Sequence, residues 1–374
     1  MTEALREAIP NQPRFRLRWL LGGRTQSDEW LSDPTWVPEG QRAVYRSVKE
    51  GLKVVLSGLD REEVVMLPSY VPGGLVATFL ASGFDVRYYP VEPDLSLDAD
   101  AFEEYLAAVS PSIVVFIHYL GFADANYPTL RAAAKAEDAL VLEDCARGLF
   151  SHGESGELLG STGDISVFSL YKTLPAPNGG LIVSDTCPLP EPTARRSEWR
   201  DLVGTTVGSL LEHFGIQRRQ FTRTVVEDRQ KYRETVQPTG VWSKPGWVSQ
   251  RAFAHVTPSA VQSTRFDRYS ALRERLVEGG LDVVTPPAPP GSSPYGVAVL
   301  LPSEAERNRL VSTLHRRHLP NEILTWPPVH RTEALQQFEG GMTLRRRLVI
   351  FPTHQQVPRV AISRVAETVL AHVG

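Results

Sequence analysis

The chain has 374 residues, of which 42% are hydrophobic and 22% are charged, a composition typical of a folded globular protein and not of a disordered or fibrous one. This length favours two domains over one small core. With 40 Lys and Arg residues against 43 Asp and Glu residues, the net charge is -3, which argues against a surface for nucleic acid or for an anionic membrane.

A large α/β domain is predicted for residues 1–245, beginning with an N-terminal arm. From about residue 40, short apolar runs alternate with amphipathic segments, the pattern of a sheet with crossover helices. The runs are almost continuous in Val, Ile and Leu, as in a mostly parallel sheet covered on both faces. The predicted helices span 43–59, 73–83 and 127–138, and the predicted strands span 63–70, 85–91, 112–121, 139–146, 164–171 and 179–185.

The amino-acid composition changes after residue 187. A Pro-rich link opens a variable helical insertion, about 187–245, whose Arg-rich part reaches roughly residue 234 and is interpreted as a solvated helix face. Residues 246–374 are predicted to form a small C-terminal α+β domain. Its elements are a strand over 295–302, a helix over 303–318 that opens with Ser303 and Glu306 at capping-box spacing, and a final helix over 359–373.

The two cysteines of the chain, Cys145 and Cys187, do not form a CxxC pair. Their number and spacing predict neither a disulfide framework nor a zinc site, and we expect no metal ion. The N-terminal segment has acidic residues and a proline before an apolar run that contains arginines, unlike a signal peptide, and no apolar span of membrane length follows. We therefore expect a soluble protein of the reducing cytoplasm.

Polar residues follow the C-terminal ends of several predicted strands, where open α/β sheets bind ligands. Considered alone, each of these polar residues has a structural explanation, as a helix cap, a hydroxyl bonded to backbone, a core histidine or a loop lysine. The residues are Tyr70, His118, Tyr119, Asp144, Ser169 and Lys172.

Lys172 and Asp144 together indicate a specific chemistry. Lys172 lies on the predicted loop after a buried strand, downstream of an aspartate at the end of another strand. Pyridoxal-phosphate chemistry requires an amine that forms a Schiff base and an acid that holds the pyridine nitrogen protonated, so that the ring can accept electrons. The sequence therefore predicts a pyridoxal 5'-phosphate site.

Two weaker signals are interpreted as structural. HGESGE, residues 152–157, lacks the GxSxG pattern of a nucleophile and predicts a surface hairpin. The arginines at 345–347 predict a solvated edge before a strand, with a site for a substrate diphosphate as the alternative. Neither GxxxxGK[ST] nor GxGxxG occurs, so nucleotide sites of these types lose their main support.

Four segments resemble the DegT/DnrJ/EryC1/StrS aminotransferases. They are VVMLPSYVPGGLVATFLASGFDVRYYPVEPDLSLD, VLEDCARGLF, GDISVFSLYKTLPAPNGGLIV and LVIFPTHQQVP. Members of this family are pyridoxal-phosphate enzymes of the aspartate-aminotransferase fold (type I). The resemblance extends from about residue 40 to residue 358 and implies a large, mostly parallel seven-stranded sheet domain with a small C-terminal α+β domain.

The resemblance assigns a role to each matching residue. Lys172 would form the Schiff base, an internal aldimine, and then move the proton between substrate and cofactor, while Asp144 would pair with the pyridinium nitrogen. Ser169 would bind the phosphate. The other implied cofactor contacts are backbone amides at Gln41, Arg42 and Ala43, where the first predicted helix would offer its N-terminus to an anion, and His118 and Tyr119 beside the ring.

The chain departs from the family pattern at several of these positions. Only two residues separate Ser169 from Lys172, fewer than usual, and Gln41 and Arg42 replace a Gly-Thr pair. Arg147 stands in place of a glutamine and would bring a fixed charge to the cofactor or substrate. The usual ring-covering aromatic residue is Pro72, which leaves Tyr70 or His118 as the stacking group.

The resemblance implies a homodimeric aminotransferase that moves an amino group, from L-glutamate, to a keto group of a nucleotide-linked sugar or similar polyol. Two alternatives stay open at this stage. One is a related sugar dehydratase, although such enzymes have histidine where this chain has Lys172. The other is a non-catalytic member that binds pyridoxal phosphate and acts as a regulator.

Overall fold

A computed structural model of the chain describes residues 9–15, 28–59, 63–194 and 242–373. Most of the predicted Arg-rich helical insertion falls on residues 195–241 and lies outside the described residues. In the part of the chain that is described, no helix combines the length and the apolar character needed to cross a membrane.

The larger sheet has seven strands in the order β1-β7-β6-β5-β4-β2-β3. Only β7 runs against the others, because it pairs antiparallel with both β1 and β6. This sheet confirms the predicted fold class. Its strands are β1 (Gln41–Tyr45), β2 (Val64–Pro68), β3 (Asp85–Tyr89), β4 (Ile113–Ile117), β5 (Leu140–Asp144), β6 (Ile165–Ser169) and β7 (Gly180–Ser184).

Five helices connect these strands or follow them directly. The predicted helices over 73–83 and 127–138 are confirmed as α2 and α4, while α3 was not predicted. The five are α1 (Val48–Leu56), α2 (Gly73–Ala81), α3 (Ala99–Val109), α4 (Tyr127–Ala136) and the single turn α5 (Leu170–Thr173).

Strand β4 shows why these runs are apolar throughout. Ile113 and Val115 face one side of the sheet and belong to one hydrophobic cluster, whereas Val114 and Phe116 face the other side and belong to a second. All four side chains are buried. Because successive side chains of a strand point to opposite faces, a strand covered on both sides must be apolar at every position.

The prediction of a helix from residue 43 is wrong at its start. Gln41–Tyr45 forms the strand β1, in which Ala43 and Tyr45 are buried and pair with Ile182 and Gly180 of β7. The helix α1 begins only at Val48, where the side chain of Ser47 accepts a hydrogen bond from the backbone of Glu50.

Residues 246–373 contain a second, two-stranded antiparallel sheet formed by β8 (Gly296–Leu300) and β9 (Leu348–Pro352). The predicted strand over 295–302 and final helix over 359–373 are confirmed, and Ser303 caps its helix by accepting from the backbone of Glu306. The predicted domain boundary near residue 245 stays a prediction. The helices here are α6 (Trp247–Phe253), α7 (Pro258–Glu278), α8 (Glu304–Arg316), α9 (Thr332–Gln336), α10 (Glu339–Arg347) and α11 (Arg359–Val373).

The two weaker structural interpretations have different outcomes. An antiparallel bridge between His152 and Leu158 confirms the surface hairpin. The solvated edge at 345–347 is wrong for Arg345, which is 6% exposed and donates to the carbonyls of Ser69, Gly341 and Trp326. The arginines end the helix α10, and helical geometry turns one of three consecutive side chains inward. Arg345 therefore binds backbone oxygens.

Candidate active site

A cavity of about 410 Å³, a volume that includes its open mouth, lies at the C-terminal ends of the parallel strands. This is the place where open α/β sheets bind ligands. Residues of the second sheet and its loops close one side of the cavity. Six of the predicted site residues line it, namely Tyr70, His118, Tyr119, Asp144, Arg147 and Lys172.

Lys172 reaches this cavity from the helical turn α5 and not from a loop as predicted. The turn starts directly after Ser169, the last residue of β6, so the lysine is fixed to the end of a buried strand. Burial, followed by the nearby charge of Arg147, lowers the pKa of Lys172 to about 7, and Lys49 acts in the same direction while Asp144 opposes it. A large fraction of the amine is therefore unprotonated at neutral pH.

Asp144 ends the neighbouring strand β5 and is only 7% exposed. Its carboxylate oxygen Oδ1 accepts a hydrogen bond of 2.9 Å from the backbone nitrogen of Ala146, which fixes its orientation. Asp144 and Lys172 line the same cavity, and the negative charge of Asp144 raises the pKa of Lys172. The cavity thus holds one amine and one carboxylate on adjacent strand ends.

His118 is held in place by Glu143, a residue that sequence reasoning did not single out. The two side chains meet at 2.6 Å, between Nε2 of His118 and Oε2 of Glu143, and both are almost fully buried. Burial alone would raise the pKa of Glu143, but the hydrogen bond and charge of His118, helped by the amides of Gly163 and Thr162, lower it. The position of Glu143, directly before Asp144, is the one signal that could have identified it.

The same neighbourhood includes a third buried group that could ligate a metal ion. Donor atoms of His118, Glu143 and Cys145 lie within 4.8 Å of one another. Both carboxylate oxygens of Glu143 already accept hydrogen bonds, from His118, from the backbone of residues 160, 162 and 163, and from the Thr162 hydroxyl. These contacts describe a hydrogen-bond network that orients His118.

Aromatic side chains form the wall of the cavity next to Tyr70. The ring of Tyr70 packs against that of Trp326 with 4.7 Å between centroids, and its hydroxyl donates to the carbonyl of Leu324 at 2.7 Å. Tyr119 in turn donates its hydroxyl to the carbonyl of Tyr70. These contacts give Tyr70 a fixed position in a largely apolar wall.

Arg147 is held by three residues of the second sheet and its loops. Its Nη2 donates to Oε1 of Glu322 at 2.9 Å, and the hydroxyl of Tyr295 donates to the other oxygen of that carboxylate at 2.7 Å. The guanidinium lies 4.7 Å from the ring centroid of Tyr295 and 5.7 Å from that of Trp326. Its Nε is buried without a hydrogen-bond partner among the described residues. Glu322, Tyr295 and Trp326 come from distant segments and carry no local sequence signal.

The helix N-terminus on which the predicted phosphate cradle at Gln41, Arg42 and Ala43 rests is wrong. These residues lie on β1. The residue of β1 that lies at the same edge of the sheet as Ser169 is Tyr45, at the C-terminal end of the strand, because both residues pair with Gly180 of β7. Gln41 pairs with Ser184 at the far edge of the sheet. The side chain of Arg42 donates to the carbonyls of residues 31, 37 and 38, so it holds the chain that precedes β1.

The N-terminus of α1 occupies the edge where the cradle was expected. The register places Tyr45, Gly180 and Ser169 side by side, and α1 starts three residues after Tyr45. A Cβ added to Gly180 would lie 2.1 Å from the backbone nitrogen of Val48, so only glycine lets the helix come this close. Ser169 is 6% exposed and lies outside the cavity lining, next to this helix end.

The model of the DegT/DnrJ/EryC1/StrS aminotransferase family matches residues 47–229 and confirms the predicted resemblance. Serine hydroxymethyltransferase of Pyrococcus horikoshii is 30% identical over 134 residues, which are 35% of this chain and 31% of that protein. The match therefore spans less than a third of that relative's length.

Solved structures share the fold over almost the whole chain. DesI, determined with its TDP-sugar product, has a TM-score of 0.68 at 20% identity and covers 98% of this chain and 93% of its own. The aminotransferase TlmJ from Streptoalloteichus hindustanus has a TM-score of 0.67 at 20% identity and covers 97% of each chain. PseC of Helicobacter pylori, an aminotransferase of pseudoaminic acid biosynthesis, has a TM-score of 0.66 at 14% identity and covers 98% of this chain and 99% of its own. These likenesses confirm the aminotransferase fold.

Proposed function

We infer that this chain belongs to the DegT/DnrJ/EryC1/StrS aminotransferase family and is an aminotransferase that uses pyridoxal 5'-phosphate. We propose L-glutamate as the amino donor and a keto group of a nucleotide-linked sugar or similar polyol as the acceptor. The observation that carries the proposal is the meeting of Lys172 and Asp144 in one cavity at adjacent strand ends. The sugar acceptor draws support from DesI, whose structure holds a TDP-sugar product.

The groups around the cavity match the chemistry of this cofactor. Pyridoxal phosphate, when bound, supplies an aldehyde that takes up an amino group and a ring that accepts electrons. Lys172 offers the amine, Asp144 offers a carboxylate for the ring nitrogen, and the aromatic wall at Tyr70 and Trp326 offers a flat apolar surface. His118 lines the cavity with a ring whose orientation Glu143 fixes.

Lys172 would act first as a nucleophile and then as an acid and base. An amine whose pKa is about 7 has a free electron pair at neutral pH and can attack a carbonyl carbon. A pKa near the working pH also suits a group that must both accept a proton from the substrate carbon and return it. Because α5 follows β6 directly, the backbone of Lys172 is held close to the end of a buried strand.

Asp144 would keep a proton on the ring nitrogen by placing a negative charge beside it. The hydrogen bond from Ala146 leaves Oδ2 for this contact. Arg147, with one side engaged by Glu322, would present its remaining N–H groups to an oxygen of the cofactor or of the substrate.

We place the phosphate at the start of α1 instead of at residues 41–43. The backbone amides there point out of the helix, and a helix N-terminus favours an anion. Lys49 adds a positive charge that is felt at Lys172, and the hydroxyl of Ser169 lies at the adjacent strand end. The homodimer and the cytoplasmic location implied by the family remain part of the proposal.

Replacing Gly180 by alanine tests this placement. The added methyl group would collide with the backbone of Ser47 and Val48 and push the N-terminus of α1 away. We expect Kd for pyridoxal phosphate to rise at least about tenfold, or about 1.4 kcal/mol, in a titration of the folded variant. Gly58→Ala is the matched control, because its nearest neighbour would be 3.5 Å away. Unchanged affinity in Gly180→Ala would rule out this phosphate site.

The function itself is tested by adding L-glutamate to the protein loaded with pyridoxal phosphate. We expect the visible absorbance of the bound cofactor to disappear while one equivalent of 2-oxoglutarate forms, because the amino group moves from the donor to the cofactor. Adding candidate nucleotide-linked keto sugars should then restore the absorbance and yield the amino sugar. Absorbance that persists with L-glutamate and with every other amino acid tested would refute the aminotransferase.

A further inference from the structure

A buried arginine of the long helix α7 contacts the backbone of the turn that carries Lys172. Arg265 is 0% exposed, and its Nη2 donates to the carbonyl oxygens of Lys172 and Thr173, each at 3.3 Å. The other nitrogens are also engaged: Nη1 donates to the carbonyl of Pro294 at 3.4 Å, and Nε donates to Oε1 of Gln355 at 3.2 Å. Arg265 therefore joins α7 and the segment after β9 to the active-site turn.

Gln355 makes a second contact of the same kind. Its Nε2 donates to the carbonyl of Thr173 at 2.9 Å, so that oxygen receives hydrogen bonds from two side chains. Within the turn, the amide of Leu174 donates to the carbonyl of Leu170 at 2.7 Å. The last carbonyls of a helix have no partner inside the helix, and a four-residue turn consists almost entirely of such ends. Arg265 and Gln355 supply the missing donors.

Burying the charge of Arg265 costs free energy, which argues against a role that only fills space. Every hydrogen bond that the structure gives its guanidinium goes to a carbonyl or amide oxygen and none goes to a carboxylate. A buried charge without an opposite charge is unfavourable, and burial lowers the pKa of Arg265 to about 10. A neutral residue of similar volume would avoid this cost and would lose the fork that reaches two carbonyls at once.

Because the link between Ser169 and Lys172 is short, the hydrogen bonds to the carbonyls of the turn are important for the position of Lys172. Strand β6 fixes the turn at its first residue, and two residues later the chain reaches the lysine. The carbonyls of Lys172 and Thr173 are the next points at which the turn can be held. Without contacts there, the turn can unwind toward the following 174–179 segment and carry Nζ out of the cavity.

We propose that Arg265 is a positioning residue for Lys172, which it serves by binding the C-terminal carbonyls of α5 from the helix α7. This inference rests on the proposed role of Lys172. Gln355 assists it by sharing the carbonyl of Thr173. Neither side chain lines the cavity, and both act through the backbone of the turn.

Two variants test the proposal, Arg265→Lys and Gln355→Leu, with Arg268→Lys as the matched control. Arg268 lies on the same helix and donates to the carbonyl of His354 at 2.7 Å, away from α5. For each full-length protein we would measure thermal unfolding, hydrogen exchange at the amides of residues 173 and 174, the rate at which added pyridoxal phosphate gains its visible absorbance, and the pH midpoint of that rate.

We expect Arg265→Lys to stay folded and to show faster exchange at residues 173 and 174. Cofactor incorporation should slow by about 100-fold, because a displacement of about 1 Å at a reacting group costs that much. Gln355→Leu should also show faster exchange and slower cofactor incorporation, but both changes should be smaller. Arg268→Lys should change neither the exchange nor the rate of incorporation. Wild-type exchange, rate and midpoint in folded Arg265→Lys and Gln355→Leu would overturn the proposal. If wild type gains no absorbance, the proposed function fails, whereas the exchange data still decide whether Arg265 holds the turn.

Discussion

Lys172→Ala is expected to abolish transamination and to leave the fold intact. The substitution removes both the nucleophile and the acid–base group, and general acid–base catalysis alone contributes on the order of 10²- to 10⁴-fold. Because the Lys172 side chain points into a cavity, its removal costs little packing. Turnover, visible absorbance with pyridoxal phosphate and the melting temperature would be measured on the same preparation.

Lys172→Arg is the control that separates charge from reactivity. Arginine keeps a positive charge and a long side chain, but it does not lose its proton at neutral pH. It should therefore be as inactive as the alanine variant. In wild type, the rate of cofactor incorporation should rise with pH through about 7, because deprotonation frees the amine. Full activity in either variant, or a wild-type rate that ignores pH, would show that Lys172 is not the reacting amine.

Asp144→Asn is the second substitution with a large expected effect. Asparagine keeps the shape and can still accept the hydrogen bond from Ala146, but it removes the negative charge. We expect turnover to fall roughly 10²- to 10³-fold, the range seen when one preorganised electrostatic partner is lost. The pH midpoint of cofactor incorporation should also decrease, because Asp144 raises the pKa of Lys172.

The shift of the midpoint distinguishes this role from simple damage to the fold. Asp98→Asn is a suitable control, since Asp98 caps the helix α3 at an exposed site. It should leave both turnover and midpoint unchanged. Wild-type turnover in Asp144→Asn would remove Asp144 from the proposed mechanism.

Strand content and the pair Lys172 and Asp144 could be predicted because their signals are local. A fully buried strand must be apolar along its length, and a polar residue at its end is visible in the sequence itself. The start of α1 was missed for a different reason. The apolar residues Ala43 and Tyr45 fit a strand as well as a helix, and pairing with β7, more than 130 positions away, decides between them.

The residues that complete the site depend on contacts that no short window contains. Glu322 and Trp326 meet Arg147 only after the second sheet packs against the first, and Arg265 reaches the lysine turn from a helix some 90 residues further on. Charged residues such as Arg265 and Arg345 look like surface residues in a sequence, because buried arginines are rare. The backbone carbonyls that they bind are present in every residue, so these partners cannot be identified from the sequence.

The most direct test of the account is to trap the bound cofactor on the protein. Wild-type protein would be incubated with pyridoxal phosphate, reduced with borohydride, digested and mapped by mass spectrometry. We predict a phosphopyridoxyl group on Lys172 and on no other lysine. Modification of a different lysine, such as Lys49, or the absence of any specific modification, would contradict the assignment of Lys172 and the aminotransferase built on it.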